Sequence, residues 1–184
     1  PLGGAADLLA KTLRACSETS FLDDPLRVLR GVRLSLALGY RLEPDTTRLM
    51  RAAVPNLRRV SIERMRDELF RMLDCSQPAT AIRLLDQLGA LQVILPEVGT
   101  LKGVSQSTPH IWDVWEHTLA VLSELQRLFA VLVEPYDEDN SANIVLGMAV
   151  LRLGRFREHL AAHFQRQLNP NRSLRALLGL GVQG

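Results

Sequence analysis

The stretch from Phe21 to Gly39 limits the possible folds more than any other: Phe-Leu-Asp-Asp-Pro-Leu-Arg-Val-Leu-Arg-Gly-Val-Arg-Leu-Ser-Leu-Ala-Leu-Gly. Leu26, Leu29 and Val32 recur at three-residue steps and predict one buried helical face. Arg27, Arg30 and Arg33 recur at the same step and predict a basic stripe beside it. Asp24-Pro25 predicts the start: a carboxylate at the N-cap accepts an orphaned backbone N–H, and proline at the first helical position gives up a donor the helix does not use. Gly39 predicts the stop.

The rest of the chain reads as helix too, and no long alternating strand pattern occurs. An all-α fold is expected. After the Glu43-Pro44-Asp45 turn a helix is predicted over 46–53, broken at Pro55-Asn56. Ser61 is expected to cap the next, which runs to about Leu73, with Arg64 and Glu68 pairing on its surface at i, i+4. Gln77-Pro78 opens another, over 79–88, with Gly89 as its stop and Leu91 to Leu95 as a short continuation. Residues 96–109 are rich in Gly, Ser and Thr, so a boundary is placed there: one unit over 1–98, a linker over 99–108 and a second helical unit over 109–184.

The chain has 184 residues, and 47% of them are apolar, enough to build a core. Charge is unevenly divided: 13 cations face 10 anions over 1–75, 3 face 9 over 76–150, and 6 face 1 over 151–184. All but Lys11 and Lys102 of the cations are arginines; that excess suits phosphate contacts, and a GC-rich genome would produce it equally. Cys16 and Cys75 have neither zinc-site nor disulfide-scaffold spacing. No apolar run reaches membrane-spanning length, so no membrane partner is expected, and a reducing cytoplasm is the default setting. A start at Pro1 rather than Met points to a piece of a longer protein.

Asp24 accepts hydrogen bonds only and Arg27 donates only. Three apart on one helical turn, they offer an acceptor beside a donor. The pairing edges of cytosine and adenine carry the reverse pattern, an exocyclic amine beside a ring nitrogen. Guanine and uracil would set a carbonyl against the carboxylate, and the unpaired polar groups would disfavour them. The plain alternative is a cap followed by a solvated arginine face, and the two readings are compatible.

The run Asp23-Asp24-Pro-Leu-Arg27-Val-Leu-Arg30-Gly-Val-Arg33 resembles the acidic-Asp-x-x-Arg nucleotide-selecting motif of the tRNA nucleotidyltransferase and bacterial poly(A) polymerase family. Pro1-Leu-Gly-Gly-Ala-Ala-Asp7-Leu resembles the segment leaving that family's catalytic head. Val60-Ser-Ile-Glu63-Arg64-Met-Arg-Asp-Glu68-Leu resembles its next neck motif, and Leu88-Gly-Ala-Leu…Leu95-Pro96-Glu97 the end of its RNA-binding helical part. Asp23 stands where many relatives have Glu, and Leu34 where an aromatic is common.

The resemblance implies the neck and helical body of a class II nucleotidyltransferase, which selects C or A and holds the 3′ end of tRNA or another RNA. It implies nucleotide contacts at Asp23, Asp24, Arg27 and Arg30, and support of the neck or of phosphate at Arg33 and Arg64. The family's chemistry uses ATP or CTP and Mg2+ held by a Gly-Gly and Asp-x-Asp head. Nothing in this sequence matches that head, so the chain alone is expected to be inactive.

Pro109-His110-Ile-Trp112-Asp113-Val-Trp115-Glu116-His117 resembles the first helix of HD-type domains, with His117 as a first metal ligand. No His-Asp dipeptide follows, so no assembled metal site is expected; Trp112, Trp115 and Leu119 are expected in the core. The segment over 134–140 is expected to be an acidic surface loop, and Ile144 to Leu153 a buried helix. His159 and His163 have ligand spacing without a carboxylate cluster; Arg166, Arg172 and Arg175 have either RNA phosphates or solvent as partners. An HD-type phosphohydrolase, a non-catalytic RNA-binding module and a protein-interaction bundle remain as alternatives.

Overall fold

The computed structural model describes residues 3–105, 112–133, 144–169 and 172–173. Helix α1 (Gly4–Leu9) leads to the two-residue strand β1 (Thr12–Leu13), then the short α2 (Ser20–Asp23) and α3 (Arg27–Leu38). Strand β2 (Arg41–Leu42) precedes α4 (Pro44–Ala53), a 3-10 segment (Val54–Arg59) and α5 (Ile62–Leu73). Helices α6 (Pro78–Gln87), α7 (Leu91–Ile94) and α8 (Pro96–Gly99) follow, then α9 (Val114–Val133), α10 (Ile144–Leu153) and α11 (Arg157–Phe164). The fold is all-α. β1 and β2 pair in parallel, Thr12 opposite Arg41 and Leu13 opposite Leu42, and β3 (Gln167–Asn169) pairs antiparallel with β4 (Arg172–Ser173). Among the described residues no helix is long and apolar enough to cross a membrane.

The core forms where the periodicity places it. Leu26, Leu29 and Val32 are buried on α3, which packs against α5 and α6. Gly39 stops α3 with φ 64°, a left-handed conformation that suits glycine; its N–H and that of Tyr40 bond back to Leu36 and Ser35 carbonyls. Gly31 marks a close approach of α3 to α4: a Cβ there would lie 3.0 Å from Met50 Cε, so the methionine tip would have to shift. Trp115, Leu119 and Leu122 of α9 join this same core through α6.

Several local expectations are corrected. Asp24 does not cap α3: it ends α2 in an extended conformation, its carboxylate faces arginines, and the helix starts through bonds from Arg27 and Val28 N–H to the Asp24 and Pro25 carbonyls. Helix α4 starts two residues before the predicted Thr46, because Pro44 takes the first position and the Glu43 carboxylate accepts from Thr46 N–H at 2.7 Å. Ser61 holds the N-cap position of α5 without a side-chain bond to it. Residues 96–99, expected as loop, form α8, again opened by proline.

Trp112 precedes the first turn of α9 and is 52% exposed, so it stays out of the core that Trp115 and Leu119 enter. Helix α10, expected to be buried, packs on α9 but leaves Met148, Leu151 and Leu153 exposed. The acidic segment 134–140, Arg175, His110 and part of the 99–108 linker lie outside the described residues, as does the Arg172 side chain.

Candidate nucleotide-selecting site

Two carboxylates from different elements organise the basic face of α3. Asp24, at the end of α2, accepts from Arg64 Nη2 of α5 at 3.3 Å on both oxygens, and Arg30 Nη1 lies 3.6 Å from its Oδ2. Glu68, one turn after Arg64, points into the junction of α3 and α5 with its side chain 3% exposed. It accepts from Arg30 Nε at 3.1 Å, Arg33 Nε at 2.9 Å and Arg71 Nη1 at 3.2 Å. A buried carboxylate demands such partners, since without them its desolvation is uncompensated.

The predicted surface pair of Arg64 with Glu68 is thus replaced. The apolar stripe of α5 passes through Met65, Leu69 and Met72, all buried. Glu68 lies on that stripe, so it turns inward to the α3 arginines, whereas Arg64 reaches out to Asp24. The sequence carried this signal: a charged residue on the apolar face requires a partner from another element.

Arg27 takes another direction. Its Nη1 donates to the Ser20 carbonyl at 3.0 Å, filling an acceptor left open where α2 stops. Arg27 and Arg30 line one wall of a cavity of about 510 Å3, whose other walls include Phe21, Leu34, Leu42 and Met50. Apolar walls beside two guanidinium groups form a pocket of the size and chemistry that small ligands occupy. Asp23 stands apart: its carboxylate accepts from Thr19 Oγ1 at 3.0 Å, one turn back at the start of α2. Of the sequence candidates, Asp24, Arg30 and Arg64 meet directly, and Arg33 joins through Glu68. Ser20, whose carbonyl orients Arg27, is a contributor that the sequence did not single out, and Glu68 was expected only as a surface partner of Arg64, not as the buried acceptor for Arg30 and Arg33.

His117 lies on α9, far along the chain from this cluster. Among the described residues no group of three or more His, Cys, Asp or Glu side chains could hold a metal. The Asp24 and Glu68 carboxylates do not fit a divalent cation, because the guanidinium groups against them neutralise their charge and would repel it. His159 and His163 sit on α11, and the His163 ring packs edge-on against Phe164.

Residues 39–101 match the family model described as the probable RNA and SrmB-binding site of polymerase A. An A-adding tRNA nucleotidyltransferase of Deinococcus radiodurans is 37% identical over 130 residues, covering 68% of this chain and 30% of the relative. The chain belongs to the tRNA nucleotidyltransferase and poly(A) polymerase family. A multifunctional CCA protein of Xanthomonas euvesicatoria is 45% identical over 111 residues, covering 58% of this chain and 27% of that protein. Among solved structures, the Thermotoga maritima CCA-adding enzyme in complex with tRNA matches with a TM-score of 0.55 at 21% identity, over 100% of this chain and 50% of that one. At that identity the likeness is one of fold. The matched stretches amount to about a third of the length of these curated family members.

Proposed function

We propose that the chain forms the neck and helical body of an RNA 3′-end nucleotidyltransferase, in which Asp24 and Arg27 select the incoming C or A and the body holds the RNA acceptor end. The observation that carries this reading is the fixed carboxylate of Asp24, braced by Arg64 and by Arg30, the second of which also lines the cavity together with Arg27. A carboxylate has about four lone-pair positions, so its arginine contacts leave acceptor capacity for an exocyclic amine. Arg27, oriented by the Ser20 carbonyl, keeps further N–H donors for a ring nitrogen or carbonyl of the base. Selection then needs no nucleic-acid template.

The matched structures include CCA-adding enzymes in complex with ATP and with CTP, which supports these two nucleotides as the ligands of this chain. Arg30 and Arg33 steady the nucleotide phosphates or the α3–α5 junction. Transfer of the nucleotidyl group to a 3′ hydroxyl, with release of pyrophosphate, requires metal-bearing carboxylates. Those belong to a catalytic head outside these 184 residues, and the Mg2+ with them; this chain supplies selection and RNA positioning.

The test is to incubate the pure chain, and the same chain joined to a nucleotidyltransferase head, with Mg2+, ATP, CTP and a tRNA lacking its 3′ end. The reading expects extension only with the head. Extension by the pure chain, or none by the joined protein with any RNA 3′ end, overturns it.

A further inference from the structure

We propose that the groove between β2, α4 and α6 is a docking site for an RNA strand, with Arg41 and Arg51 on one or two neighbouring phosphodiesters and a base laid against Tyr40. This rests on the RNA-holding reading above but concerns a different surface from the Asp24 cluster. The groove encloses about 350 Å3 and is lined by Tyr40, Arg41, Thr47, Arg51 and Gln87 over an apolar floor that includes Leu84. No carboxylate lines it.

Of the arginines that line two other cavities, Arg14, Arg30 and Arg83 are held by carboxylates, Asp7 and Glu43, Asp24 and Glu68, and Glu116 respectively, and Arg27 donates to the Ser20 carbonyl. Arg41 and Arg51 are exposed and have no ion pair among the described residues. The nearby acids are engaged elsewhere: Asp86 accepts from Lys102 Nζ at 2.6 Å, and Asp45 from Arg48. Uncompensated guanidinium groups at a concave surface attract phosphate. Tyr40, half-buried at the end of α3, offers a ring on which any base can stack, and Gln87 and Thr47 offer neutral hydrogen bonds.

The groove is built by the folded first unit and not by one helix. Tyr40 is fixed by its N–H bond to the Ser35 carbonyl at 2.8 Å, and Arg41 by the pairing of β2 with β1. The arginine of α4 and the glutamine of α6 close the other two sides. A strand lying there would run over the α3 C-terminus, away from the cavity beside Arg27. Body and base selector would thus hold different nucleotides.

The test is fluorescence anisotropy of the 184-residue chain with a labelled single-stranded RNA of about a dozen nucleotides, across a salt titration. Arg41→Gln with Arg51→Gln is expected to weaken binding roughly tenfold and to flatten the salt slope by about 0.7 for each phosphate no longer neutralised. Tyr40→Ala weakens binding at least roughly fivefold and Tyr40→Phe leaves it unchanged, as stacking at about 1–3 kcal/mol per base predicts. Arg48→Gln, equally cationic but paired with Asp45, has no effect. Circular dichroism confirms that each variant is folded.

RNA binding that ignores the Arg41 and Arg51 changes overturns the groove and leaves the RNA-holding reading intact. No RNA binding by the unaltered chain overturns both. Competition with ATP separates the sources of phosphate: if ATP displaces the RNA and the double variant loses ATP equally, the groove belongs to a free nucleotide and the proposal fails.

Discussion

Arg64 Nη2 donates to both carboxylate oxygens of Asp24 at 3.3 Å, joining α5 to the end of α2 across 40 residues of sequence. The two elements that frame the candidate site are tied by this contact. Both side chains are partly exposed, so its stability contribution is about 1 kcal/mol or less. Its expected effect is on orientation. In a protein carrying the catalytic head, Arg64→Ala should relax discrimination of C over U by about three- to tenfold, and Arg64→Lys should restore part of it. Incorporation assays with single nucleotides check this; unchanged discrimination would remove Arg64 from the site.

Glu68 should be the most sensitive polar residue of the fold. Removing it leaves Arg30, Arg33 and Arg71 facing one another at the α3–α5 junction. Removing one member of a buried pair costs about 3–5 kcal/mol. The guanidinium groups at this junction can partly rehydrate, so Glu68→Ala is expected to cost about 2–4 kcal/mol by urea unfolding. Glu68→Gln should cost less, since it keeps an acceptor.

Leu29 is 0% exposed and Leu9 is 90% exposed. Leu29→Ala should destabilise the chain by about 2–5 kcal/mol, and Leu9→Ala should stay within about 0.5 kcal/mol. Matched unfolding curves decide the point.

Acid should weaken two helix starts. The Glu43 carboxyl is held below its ordinary value of 4.5 chiefly by the Thr46 backbone N–H. Asp113 is held below 3.8 by the Glu116 N–H first and the Gly103 N–H second. A depressed folded value means that the unfolded chain takes up protons first. The stability these caps supply is therefore present above those ordinary values and drains away as pH falls below 4.5 and then 3.8 through the lower folded values. Unfolding midpoints measured at descending pH should fall over that window, and Glu43→Gln should flatten the upper part of it.

The sequence disclosed what is local. The α3 core face and its Gly39 stop follow from helical period and backbone chirality, and both formed as read. The partners of Arg30, Arg33 and Arg64 were not legible by the same means. The i, i+4 rule sees only one helix, whereas Glu68 meets Arg30 across 38 residues. Its place on the apolar stripe of α5 was the available clue. Asp24 misled for a related reason: the same carboxylate satisfies a cap or an arginine, and only the approach of α5 decides. The β1–β2 pair is two residues long, too short to leave an alternating pattern. Trp112 and α10 show the limit of composition, since apolar residues are buried only where another element comes to cover them.

The central claim is that Asp24 and Arg27 read the base. The direct measurement is kcat/KM for CTP, ATP, UTP and GTP in a head-bearing protein, with and without Arg27→Ala. Loss of a base-pairing donor at about 1–3 kcal/mol predicts a fall of roughly 10- to 100-fold for CTP and ATP. A smaller fall for UTP and GTP is expected, so that preference narrows. An equal fall for all four nucleotides, with preference intact, would contradict the account and reduce Arg27 to a structural support of α2.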